Sequence, residues 1–140
     1  MTRLKTLALS LSFGFGAMAT AASAHHGWSS YDDDLNMVAT VTKVKFGNPH
    51  DRLQVQDAQG ELWDILLAPP VRNRRYGYDE TTVGVGQDIR LIGERHPSKN
   101  EAKIHQIWVG ETMVYEYLYT QDQTSYDRLG KTPPENPTGK

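Results

Sequence analysis

Between Asn36 and Phe46 the chain alternates: in NMVATVTKVKF, Val38, Thr40, Thr42, Val44 and Phe46 fall on one face and Lys43 and Lys45 on the other. A period of two with many β-branched residues predicts a strand. GNPHD ends it, because Gly47, Asn48 and Pro49 form turns and a proline cannot serve a central ladder. RLQVQD (52–57) and ELWDILL (61–67) are two further short runs around a glycine-containing turn, the pattern of a hairpin, with Trp63, Ile65 and Leu67 on a common face. Pro69 and Pro70 close it. VRNRRYGYDE (71–80) has no clean period and predicts a short helix or an irregular crossing, limited by Gly77. QDIRLIGE (87–94) predicts a fourth strand, and AKIHQIWVGETMVYEYLY (102–119) one long strand or two consecutive ones divided near Gly110. Beyond Thr120 the chain is polar and rich in proline and glycine, which predicts a loose tail over 120–140.

Three strands, a crossing and two more strands is the order of a five-stranded, OB-like barrel, an all-β fold. Closure also protects the edges of so many short strands. A small β-sandwich is the alternative.

The start of the chain changes the picture. Arg3 and Lys5 precede a greasy run that ends in Ala22-Ser23-Ala24, the layout of a secretory signal peptide over residues 1–24. Its apolar run is short for a membrane span, so no integral membrane segment is expected after cleavage. Residues 25–119 then form a single barrel domain with an N-terminal extension, in the periplasm or secreted. Loss of Arg3 and Lys5 leaves thirteen basic residues against seventeen acidic ones, a formal charge near −4, so no nucleic-acid partner is expected. A periplasmic protein partner fits that setting better. The absence of cysteine excludes disulfides and thiolate metal sites.

Cleavage after Ala24 would make His25 the first residue, with a free α-amine beside its imidazole and His26 next to it. Both kinds of nitrogen lose their protons easily near neutral pH. Either His25 chelates through amine and ring while a distant histidine completes a three-nitrogen set, or the amine, the intervening amide and the His26 ring form fused chelates. Such nitrogen environments favour Cu(II), with Ni(II) and Zn(II) as further candidates. His50, held by the Asn48-Pro49 turn, and His105, inside a strand, are the candidate distant ligands, although a structural role in turn or core competes with ligation at each. Tyr31 to Asp34 lack a calcium-loop frame and read as a solvated acidic turn.

A second surface is the loop carrying Arg72, Arg74, Arg75, Tyr76 and Tyr78, since arginines beside aromatic rings grip phosphate, carboxylate or sugar faces. The stripe Tyr115, Tyr117, Tyr119 reads equally as core, surface patch or oligomer contact. No Gly-x-Ser-x-Gly elbow or His-Glu-x-x-His helix is present. A binding role is therefore expected ahead of catalysis, with a copper oxidoreductase as the remote extension.

The run HHGWSSYDDD after the leader, then VTKVKFGNPH, GELWDILLAPP, RYGY and VGVGQDIRLIGERH, resembles a family of small exported bacterial proteins of uncharacterised function. The double histidine and the Asn-Pro-His turn mark that family, here His25, His26 and Asn48-Pro49-His50. The resemblance implies a periplasmic setting and one small domain. The expected function is periplasmic metal binding, most of all of Cu(II), for binding, delivery or sequestration. The alternative is a barrel that binds a non-metal ligand or a protein through the Arg/Tyr loop.

Overall fold

The computed structural model describes residues 28–135. Its first strand, β1 (Asp33–Lys45), begins earlier than the alternation suggested, and over most of its length the opposite face points inward. Leu35, Ala39 and Val41 are buried and Met37 packs against the core, whereas Val38 is 52% exposed. The reason is a bulge: the register against the next strand shifts between Val41 and Lys43, which inserts one residue. Because side chains alternate with a period of two, one extra residue exchanges the faces. Beyond the bulge Val44 and Phe46 turn inward as the pattern predicts.

β2 (Arg52–Gln56) and β3 (Leu62–Leu66) form the expected hairpin, with Ile65 and Leu67 fully buried. Pro70 does more than stop β3. It is the first residue of α1 (Pro70–Arg75), where a fixed φ and a missing N–H cost nothing. Then follow β4 (Asp88–Arg95), β5 (Glu101–Val109) and, after a turn at Gly110, β6 (Thr112–Glu116). β1 pairs antiparallel with β2 and β4, β4 pairs antiparallel with β5, and β3 runs parallel beside the start of β5. That last pairing closes a five-stranded OB-like barrel and sets the sandwich aside, while β6 extends the sheet from β5.

Gly93 lets the barrel close tightly. A Cβ there would lie 2.2 Å from the Lys103 carbonyl oxygen and 2.8 Å from Ile104 Cα, at the point where the β4–β5 register shifts.

Residues 120–131, expected to belong to a loose tail, instead form a strap across the outside of β5. β7 (Leu118–Thr120) pairs with β8 (Gln123–Thr124), which leads into α2 (Ser125–Leu129). The Thr124 hydroxyl accepts from the Asp127 N–H while the Asp127 carboxylate accepts from the Thr124 N–H, a reciprocal cap, and Gly130 ends the helix with positive φ. Ser125 and Tyr126 are buried. Both faces of β5 are thereby covered, so Ala102 through Gln106 are all buried. No helix among the described residues is long and apolar enough to cross a membrane.

Candidate functional site

The Gly47–Asp51 turn is held from below by a buried carboxylate. Asp51 accepts from the Gly47 N–H at 2.9 Å and from the Asn73 amide at 2.7 Å, and Asn73 also donates to the Ala68 carbonyl, which ties turn, strand end and α1 together. His50 is fixed above this knot. Its Nδ1 lies 2.8 Å from the Leu67 carbonyl oxygen. A carbonyl only accepts, so Nδ1 carries the proton and Nε2 keeps its lone pair. Burial lowers the pKa of the ring, outweighing that hydrogen bond.

Trp28 forms the opposite landmark. It is buried, its indole N–H donates to the Tyr119 hydroxyl at 3.0 Å, and its ring stacks on His105 with centroids 4.4 Å apart. Tyr117 meets it edge-on. The Lys103 ammonium sits 4.8 Å from the Trp28 ring and 5.7 Å from that of Tyr117. Burial and the neighbouring Arg72 lower its pKa to about 8, so it is still mostly charged at neutral pH. Arg72 reaches from α1 to 4.7 Å from the Tyr119 ring, and Arg128 of the strap lies 4.2 Å from the same ring. Between these groups opens a cleft of about 680 Å³, lined by Trp28, His50, Lys103, Tyr117, Tyr119 and Arg128 among others. Of its carboxylates, Glu94 is bonded to Lys131 and Asp32 is exposed at the rim. The cleft is therefore aromatic-walled with a cationic bias.

His105 lies one ring behind this cleft. Trp28 covers one face and Tyr126 the other, with centroids 4.1 Å apart, and Nδ1 is 2.6 Å from the Ser125 hydroxyl. Burial, with the charge of Lys131 and Lys103, lowers its pKa to about 4. It is a core histidine that joins the strap to the barrel.

The sequence-derived candidates are thus separated. His25 and His26 lie outside the described residues. His50 lines the cleft, and His105 supports it from behind. Of the Arg/Tyr loop, Arg72 joins the aromatic cluster, Arg74 faces Glu80 at 3.5 Å, Arg75 is exposed, Tyr76 lines a small groove beside β6, and Tyr78 is buried against Phe46 and Tyr115. Among the described residues, no three histidine, aspartate or glutamate side chains gather as a group that could hold a metal. Lys103 and Arg128 are functional candidates that the pattern of the chain did not single out. For Arg128 a signal existed: Thr124-x-x-Asp127 followed by Gly130 is a helix start and stop.

A family model described as a family of unknown function, DUF6152, matches residues 15–105. No curated protein matches the chain. Among solved structures, a crystal structure of a ZRD-deleted mutant of TiaS in complex with agmatine aligns with 66% of this chain and 24% of that one, at 10% identity and a TM-score of 0.44. The chain thus spans about a quarter of that protein's length.

Proposed function

The chain belongs to the DUF6152 family, and for it we propose a ligand-binding role, with the Trp28–His50–Tyr119 cleft as the site and a small anionic molecule with an aromatic or apolar body as the ligand. The observation that carries this reading is the set of cations over aromatic rings: Lys103 above Trp28 and Tyr117, Arg72 above Tyr117 and Tyr119, and Arg128 above Tyr119. Rings supply a flat apolar wall, and guanidinium and ammonium groups bind carboxylate or phosphate by charge-assisted hydrogen bonds. Export to the periplasm belongs to the same proposal. Phenyl phosphate is a suitable probe: calorimetric titration should give a saturable one-site isotherm, with Kd raised about tenfold in Arg128→Ala, as expected for one charged hydrogen bond. Absence of binding, or equal binding to the variant, would contradict the proposal.

A second reading, Cu(II) binding, is favoured by the His50 geometry. A ligating histidine typically donates its other N–H to a carbonyl or carboxylate, as Nδ1 does to Leu67, and Nε2 is left as the donor atom. His50 lines the same cleft as Trp28, the first of the described residues. Under this reading, Cu(II) titration of the processed protein followed by electron paramagnetic resonance should show nitrogen couplings, one set of which disappears in His50→Ala. A spectrum unchanged in that variant would exclude His50 as a ligand.

A further inference from the structure

We infer that Lys103 makes the cleft a carbonyl trap: its amine captures an aromatic aldehyde that also carries an anionic group, as a reversible imine. The inference rests on the reading of the cleft as an anion site and specifies which ligands of that class it retains. Lys103 stands on β5 opposite Glu94 of β4 and Leu66 of β3. Successive residues of a strand alternate between faces, so with Ala102 and Ile104 in the core Lys103 projects to the outer side of the barrel. There its ammonium lies against the rings of Trp28 and Tyr117, which line the cleft together with it. An ordinary lysine keeps its amine in water. This one is held at an aromatic wall, where the ring of a bound ligand would stack.

The nucleophile is the neutral amine, and a lysine is activated when it is desolvated beside another cation. Burial and Arg72 of α1 both act on Lys103 in that direction. Glu94 opposes them but is itself bonded to Lys131 of the strap, and His50 has its own pKa lowered by burial. At about pH 7.5, a pKa of about 8 leaves about a quarter of Lys103 as the neutral amine, against about one in a thousand for an ordinary lysine. Its lone pair attacks the carbonyl carbon, a C–N bond forms, and the C=O π pair moves to oxygen, which takes a proton from the nitrogen. Loss of that hydroxyl with the second N–H proton, as one water, leaves C=N, and no oxidant or reductant is consumed. Arg72 and Arg128, both over Tyr119, are placed to hold the anionic group.

The probe is 4-formylbenzoate, added to the full mature chain at about pH 7.5 with cyanoborohydride, which reduces each imine to a stable secondary amine. Peptide mapping by mass spectrometry then locates the adduct. Lys103 should be modified about tenfold faster than Lys131, on the same cleft, and than the exposed Lys43 and Lys45. It should also react about tenfold faster with 4-formylbenzoate than with the uncharged 4-methylbenzaldehyde, and Arg128→Ala, at an exposed strap position, should lose most of that preference. Terephthalate, which keeps the ring and the charge but has no aldehyde, is titrated alongside by calorimetry. If terephthalate binds while Lys103 stays unmodified, the inference is overturned and the anion reading of the cleft stands. If terephthalate does not bind and Lys103 stays unmodified, both fall. Labelling that favours Lys131, Lys43 or Lys45 over Lys103, or equal rates at Lys103 for the charged and uncharged aldehydes, would overturn it as well.

Discussion

His105 shows how much one side chain can organise. Two rings stacked at about 4 Å cannot share a face, so Trp28 and Tyr126 enclose the imidazole from both sides and join the start of the described chain to its strap. The ring has a pKa of about 4 because it is buried near Lys131 and Lys103, with Asp34 acting in the opposite direction and Glu94 held by Lys131. Between pH 6.5 and 4 the unfolded chain therefore binds a proton that the folded chain refuses. Stability should fall as pH drops through that window, by up to about 3 kcal/mol at about 1.4 kcal/mol per unit crossed. Urea unfolding at pH 7 and pH 4.5 measures it, and His105→Gln should lose less stability between the two than the parent. An equal loss would show that other groups carry the acid sensitivity. The burial of His105 was legible from its strand neighbours Ile107 and Val109, but its partner Ser125 was not, because that residue comes from a segment whose composition reads as tail.

At the level of elements, the hairpin, a short helix in the crossing after β3 and the break at Gly110 were legible because they depend on neighbouring residues, although Pro70, read as the end of the hairpin, opens that helix. Two features were not local. The β1 bulge is a mismatch in pairing with β2, and no property of Thr42 or Lys43 announces it. The strap is polar because one side faces water, and its docking surface on β5 lies far along the chain. The bulge makes a sharp prediction about faces. Val41→Thr places a hydroxyl in the core and should cost about 1–3 kcal/mol, whereas Val38→Thr, at a position 52% exposed, should stay within about 0.5 kcal/mol. Denaturant midpoints of the two variants decide it. The reverse ranking would restore the face that simple alternation assigns.

The whole molecule brings together groups that are distant in sequence. Barrel closure through β3 and β5 carries Lys103 past the turn that holds His50, and the strap brings Arg128 back over Tyr119. The result is a cationic, aromatic cleft on a protein whose formal charge is negative, so the cleft is a local departure from the overall field rather than part of it. Sequence inspection located His50 and the Tyr117 and Tyr119 stripe among its lining residues, and missed that they belong to one surface, since only closure makes them neighbours. The most direct test is to map where phenyl phosphate binds on the mature chain by 1H–15N chemical-shift changes. The account predicts saturable shifts concentrated at the Trp28 indole and the Tyr117, Tyr119 and Arg128 signals. Shifts confined to the outer face of β1 and β2, around Lys43, Lys45 and Arg52, or none at all, would contradict it.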